Sequence, residues 1–122
     1  MKNNSLSHLS LGVSLLVGAA LTGCAGRTPR IYEWGSYQEQ VYEYYKSQDT
    51  SPNKQIAALE ADVEKIRATG KTPPPGFHAH LGLMYAQSGN SAQARREFET
   101  EKTLFPESAT FMDFLLRNPK KK

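Results

Sequence analysis

Two of the chain's three histidines, His78 and His80, are one residue apart in the stretch PGFHAHLG. Imidazole nitrogens bind zinc and other transition metals, so this spacing is a candidate metal site. The stretch has helical spacing, however, and side chains two positions apart on a helix point about 200° away from each other. The two rings therefore cannot share one ion. Neither has a His, Cys, Asp or Glu at the four-residue spacing that a helical site uses.

We therefore predict no metal site and two structural histidines. His78 is expected to pack between helices with a hydrogen bond to its ring, and His80 to lie nearer the surface. The alternative is a site that draws its other ligands from residues distant in the sequence.

The acidic residues do not form a catalytic set. Glu97, Glu99 and Glu101 lie among basic residues, which is typical of a solvated helix face with Arg95 and Glu99 as an ion pair four residues apart. No Ser-His-Asp or Cys-His arrangement can be assembled, and the chain has no glycine-rich phosphate loop. We predict that the protein is not an enzyme and binds no cofactor.

The N-terminal residues have the layout of an export signal. Lys2 precedes an apolar run from Leu9 to Leu21. This run is shorter than the roughly 20 residues of a membrane-spanning helix and fits the apolar region of a signal peptide. The sequence Leu-Thr-Gly-Cys then ends at Cys24, the only cysteine of the chain.

These four residues resemble the lipobox of bacterial lipoproteins. The resemblance implies acylation of Cys24 and cleavage before it, and Ala25 implies sorting to the outer membrane, at its periplasmic face. The alternative is an ordinary signal peptide with a chance cysteine. We expect a signal peptide over residues 1–23, a lipid-anchored tether over 24–35, a helical domain over 36–118 and a basic tail over 119–122.

Length and charge limit the number of domains and the classes of function that the chain can have. The chain of 122 residues has room for one domain. Its formal net charge is +3 with both signs interspersed, and it lacks the basic stripe of a nucleic-acid-binding protein. Arg27 and Arg30 are exceptions beside Cys24, where they suit anionic headgroups.

The apolar spacing predicts five short helices and no strand. Ser51 is expected to cap the second helix with its side chain, and the fifth helix is expected to bury Phe111, Phe114 and Leu115. Short helices with tight connections predict an all-α fold of stacked hairpins. The expected ranges are 36–48, 52–69, 76–88, 91–104 and 108–118.

The third and fourth helices resemble a tetratricopeptide repeat. The resemblance implies that Gly82 lets the two helices approach closely and that Tyr85 and Phe98 fill the space between them. His78 takes the place of a Trp in the repeat pattern. Glu101 replaces a small residue that packs against the next helix, which suggests that stacking is looser there or ends there. The matching residues are Leu81, Gly82, Tyr85, Gly89, Ala94, Phe98 and Pro106.

Two further stretches, YEWGSY at residues 32–37 and PPGFHAHLG at residues 74–82, are similar to those of a family of small uncharacterised outer-membrane lipoproteins. Members are often encoded beside a lipoprotein like the curli secretion channel. The resemblance implies work in envelope assembly, with such a lipoprotein as a candidate protein partner.

Two surfaces are candidates for binding that partner. Most of the tyrosines and the single tryptophan lie between residues 32 and 45. They either fix the first helix to the bundle or leave an exposed patch, since Tyr and Trp dominate binding hot spots. We expect Trp34 to be a hot spot and Tyr44 to be core. The candidate residues in this segment are Tyr32, Trp34, Tyr37, Tyr42, Tyr44 and Tyr45.

The second surface follows from the tetratricopeptide resemblance, which implies a small apolar groove on the third helix at Ala79, Leu83, Ala86 and Gln87. We expect a protein-interaction adaptor anchored in the outer membrane. The alternative is a cell-wall accessory factor that binds peptidoglycan or regulates a wall enzyme.

Overall fold

A computed structural model describes residues 30–46 and 51–117. The expected signal peptide, Cys24 and the basic tail lie outside these residues. The described chain forms five α-helices and a short 3₁₀ turn, and its one extended pairing is an isolated bridge between Tyr32 and Thr72. The prediction of an all-α fold is confirmed. The helices are α1 (Tyr37–Lys46), α2 (Pro52–Ala68), α3 (Phe77–Gln87), α4 (Ser91–Leu104) and α5 (Ala109–Arg117), with the 3₁₀ turn at Pro106–Ser108.

Helix α2 begins at Pro52, whose fixed φ suits the first helical position. The expected side-chain cap of Ser51 is absent. Its carbonyl instead accepts from the amides of Lys54 and Gln55 at 3.0 and 3.4 Å. The predicted apolar stripe is confirmed: Ile56, Leu59 and Ile66 are buried, and Val63 packs against them.

Helices α3 and α4 form the central hairpin, and α2 packs against α3 on one side. A Cβ atom at Gly82 would lie 2.6 Å from the Phe98 ring, so the absence of a side chain there permits the close approach. Tyr85 and Phe98 are both buried, as the tetratricopeptide pattern predicts. Helix α4 starts after Asn90, whose side chain accepts from the Gln93 amide at 3.1 Å.

Glu101 is buried rather than solvated, with 2% of its surface exposed. Its carboxylate accepts from the amides of Gly76 and Ala79 at 2.7 and 3.3 Å, which are unpaired groups at the start of α3. A negative charge is also favourable at this positive end of a helix. Glu101 therefore joins the two helices of the hairpin.

Helix α5 packs on α4 and closes the bundle. Its buried residue is Met112, with Leu115 and Leu116 packed against the core. Phe111 and Phe114 stack on each other with ring centroids 6.4 Å apart, and both are more than half exposed. Of the three residues predicted to be buried on this helix, Phe111, Phe114 and Leu115, only Leu115 therefore faces the core.

Removing the close approach at Gly82 should destabilise the hairpin. We expect Gly82→Leu to lower the free energy of unfolding by about 1–3 kcal/mol through overpacking, and Phe98→Ala by roughly 3–5 kcal/mol through cavity formation. Ala92→Leu, an exposed position on α4, is the control and should change stability by less than about 0.5 kcal/mol. Urea unfolding measures all three, and equal stability of the Gly82 and Ala92 variants would contradict this packing.

Candidate partner-binding surface and polar cleft

The segment before α1 is attached to α2 through a buried carboxylate. Asp62 is 4% exposed, and its Oδ2 accepts from both the backbone amide and the hydroxyl of Ser36 at 2.6 Å. Gly35 has a φ of +50°, and a Cβ atom there would lie 2.5 Å from the Asp62 carboxyl carbon. The glycine therefore provides both the left-handed turn and the space for this contact.

A second attachment joins the same segment to the connector between α2 and α3. The Glu33 amide donates to the Thr72 carbonyl at 3.0 Å, and Lys71 donates to the Glu33 carboxylate at 3.0 Å. The ring of Tyr32 lies edge-on to Phe105, with centroids 6.0 Å apart. Residues 32–35, assigned to the tether from the sequence, therefore pack on the helical domain.

The aromatic residues between positions 32 and 45 divide into two groups. Tyr37 contacts Phe77 at 5.5 Å between centroids, and Tyr44 packs against the core. Trp34 stacks on Tyr37 at 6.2 Å and keeps 38% of its surface exposed. Tyr42 and Tyr45 are 59% and 81% exposed. The segment thus both fixes α1 to the bundle and leaves aromatic side chains on its outer face.

The predicted groove residues lie on one side of α3. Ala79, Leu83 and Ala86 are half-buried and pack against the core, while Gln87 is exposed. The side-chain amide of Gln87 donates to the Tyr44 hydroxyl at 3.0 Å. This contact brings the candidate residues of α3 next to those of α1, although the two sets were predicted separately.

His80 is buried, which contradicts its predicted position near the surface. Its Nε2 lies 3.0 Å from the Gln55 side-chain oxygen, and its ring contacts Tyr37 and Tyr44 edge-on with centroids 6.1 and 5.5 Å away. Burial lowers the pKa of His80 below its ordinary value. The ring therefore joins α1, α2 and α3, and its burial disfavours the charged form.

His78 is buried and hydrogen-bonded, as predicted, and its Nδ1 lies 2.7 Å from Glu97 Oε2. The two histidines thus face different helices. Glu97 also accepts from Gln93 at 3.0 Å, so it is not part of a solvated face. Glu99 is half exposed and pairs with Lys102 at 3.4 Å rather than with Arg95.

His78 and Glu97 line an open cleft of about 490 Å³ between α2 and the α3–α4 hairpin. Glu60, on the opposite wall, accepts from the hydroxyl of Tyr85. Burial and this hydrogen bond raise the pKa of Tyr85, so its hydroxyl stays a donor. The cleft offers hydrogen-bonding and carboxylate groups. Within the described ranges, no three His, Cys, Asp or Glu residues are grouped to hold a metal ion.

Sequence reasoning missed Asp62 and Glu101 as structural residues, although their spacing contained a signal. Asp62 follows Leu59 by three positions and precedes Ile66 by four, so it lies on the apolar stripe of α2. Glu101 on α4 has the same relation to Phe98 and to Phe105, which directly follows the helix. A carboxylate on a buried stripe requires hydrogen-bond donors, and both residues find them in backbone amides.

Comparison with known proteins identifies the family. The sequence profile of the domain of unknown function DUF4810 matches residues 31–115, so the chain belongs to this family. The match therefore includes the N-terminal segment from Tyr32 to Ser36 that packs on the helical domain. No curated protein and no solved structure matches the chain. None of the helices in the described ranges has the length and apolar character required to cross a bilayer.

The buried His80 should make stability depend on pH. Because its folded-state pKa is lowered, the unfolded chain takes up the proton first, and stability falls as pH drops below the ordinary value of 6.5. We expect the melting temperature to fall between about pH 7.5 and pH 5.5, above the range in which carboxylates ordinarily titrate. His80→Gln should reduce this dependence, and an unchanged pH profile in that variant would contradict the assignment.

Proposed function

We propose that this protein is a lipoprotein of the outer membrane, anchored through Cys24 at the periplasmic face, that acts as an adaptor for another protein. The observation that carries the proposal is the exposure of Tyr42 and Tyr45 on α1. Large exposed aromatic side chains on one face of a small domain are typical of protein-interaction sites.

The geometry of α1 supports a binding role for this face. Positions 38, 42 and 45 follow one another at four and three residues, so Gln38, Tyr42 and Tyr45 share one side of the helix. The Lys46 ammonium lies 5.1 Å from the Tyr42 ring, and Tyr45 lies edge-on to Tyr44 at 5.0 Å. These contacts restrict the rings before a partner arrives, which lowers the entropy cost of binding.

The proposed partner is another envelope protein. The family resemblance seen in the YEWGSY and PPGFHAHLG stretches favours a lipoprotein like the curli secretion channel, in an envelope or secretion assembly. Gln87, Ala79 and Leu83 lie on the helix that contacts α1 through Tyr44, and they extend the proposed surface from α1 onto α3.

The polar cleft favours the second candidate, a cell-wall accessory factor. Glu60 accepts from the Tyr85 hydroxyl, and Glu97 accepts from Gln93 and contacts His78. Neither carboxylate has a Lys or Arg partner among the ion pairs of the described chain. Two such carboxylates in a cleft suit the amino groups of wall peptides. In this alternative, α2 and α4 bind the wall peptide and α1 does not. The two functions can therefore be separated experimentally.

Crosslinking in intact cells tests the adaptor proposal. We expect a photoreactive residue at Tyr45 to form a discrete adduct with an envelope protein, and the same residue at Arg96, an exposed position on α4, to form none. Tyr45→Ala should cost about 2 kcal/mol or more in affinity for the captured protein, with little change in melting temperature. Absence of an adduct at Tyr45 together with sedimentation on purified sacculi would support the wall factor instead.

A further inference from the structure

The end of the folded domain nearest to Cys24 carries exposed apolar side chains at a fixed position. Ile31 is 77% exposed and Trp34 is 38% exposed. Between them, Tyr32 and Glu33 are held against Phe105, Thr72 and Lys71. The two side chains therefore lie on a segment that is anchored to the bundle rather than on a free linker.

The chain between this segment and Cys24 is short. Residues 25–30 separate Cys24 from Ile31. A stretch of this length spans at most about 25 Å when fully extended and about 15 Å on average when flexible. A small domain is about 30 Å across. A lipid on Cys24 would hold Ile31 closer to the bilayer than the domain is wide, and Trp34 is three residues further along the anchored segment.

We propose that the Ile31–Trp34 end of the domain rests on the surface of the lipid bilayer, with the Trp34 indole in the interfacial layer. This inference rests on the lipid anchor of the proposed function and assigns a membrane contact to Trp34, which the sequence suggested as a hot spot for a protein. An indole is suited to this layer because it has an apolar body and one polar N–H group.

The charge near this end of the domain also favours contact with a lipid surface. Arg30 is exposed at the start of the described chain, and Arg27 lies between it and Cys24. Basic residues next to a membrane anchor are attracted to anionic lipid headgroups. Exposed apolar side chains beside basic residues match the apolar and anionic character of the bilayer surface.

The membrane contact and the proposed partner-binding face are separate. Tyr45 lies eight residues beyond Tyr37 on α1, which is about 12 Å along the helix axis. Membrane contact at Trp34 therefore leaves Tyr45 accessible to a protein. It also limits rotation of the domain on its tether, because the segment that touches the bilayer is hydrogen-bonded to the bundle.

Trp34 is the only tryptophan, so its emission reports this contact directly. The test uses the full chain, expressed with its signal peptide and purified from membranes. The mature protein is reconstituted into phosphatidylethanolamine–phosphatidylglycerol vesicles whose lipids carry bromine on the upper acyl chain. We expect Trp34 to lose most of its emission in brominated vesicles relative to unlabelled ones, and to become less accessible to acrylamide. The double variant Trp34→Phe/Tyr45→Trp is the matched control and should keep its emission.

The outcomes separate the membrane contact from the anchor. Mass spectrometry of the purified protein first establishes whether Cys24 is acylated, with Cys24→Ala as the non-acylated reference. An acylated, vesicle-bound protein whose Trp34 is not quenched would overturn the membrane contact and leave the anchor intact. Equal quenching at positions 34 and 45 would overturn the proposed orientation. A protein without acyl groups on Cys24 would overturn the anchor itself.

Discussion

The buried carboxylate of Asp62 determines where the N-terminal segment lies. A carboxylate removed from water is costly unless donors surround it, and here the amide and hydroxyl of Ser36 both donate to the same oxygen. Because Ser36 directly precedes α1, this contact fixes the start of that helix on α2. The positions of Tyr37 against Phe77, and of Trp34 against Tyr37, follow from it.

A second buried carboxylate acts in the same way on the central hairpin. Glu101 on α4 accepts from the amides of Gly76 and Ala79 at the start of α3, and His80 on α3 bonds to Gln55 on α2. A domain of this size has a limited apolar core. Directional polar contacts between helices therefore specify the arrangement that apolar packing alone would leave less well defined. One of these contacts, at His80, also predicts that stability depends on pH.

Sequence reasoning predicted the elements well and the buried polar contacts poorly. Both ends of α4 were predicted correctly because Asn90 and Pro106 are strong local signals. The Gly82–Phe98 contact followed from the tetratricopeptide spacing. The environment of His80 could not be predicted, because the tyrosines that cover it come from α1 and its hydrogen bond from α2. On α5, several apolar residues compete for one buried face, and only the packed structure selects Met112 over Phe111.

The candidate surface was predicted in part for the same reason. A cluster of tyrosines signals either adhesion to the bundle or an exposed patch, and the prediction that Tyr44 packs against the core is confirmed. In the structure, Tyr44 packs inward and Tyr45 outward. The attachment of residues 31–36 had no periodic signal, since it depends on Asp62 and Thr72, which are distant in the sequence.

The central claim is that this N-terminal segment is part of the folded domain, and amide hydrogen exchange tests it most directly. The amides of Glu33 and Ser36 donate to Thr72 and Asp62, so both should be protected in the native protein. Asp62→Ala should remove the protection of Ser36 while the amides of α3 and α4 remain protected. Rapid exchange of Glu33 and Ser36 in the unaltered protein would contradict the account.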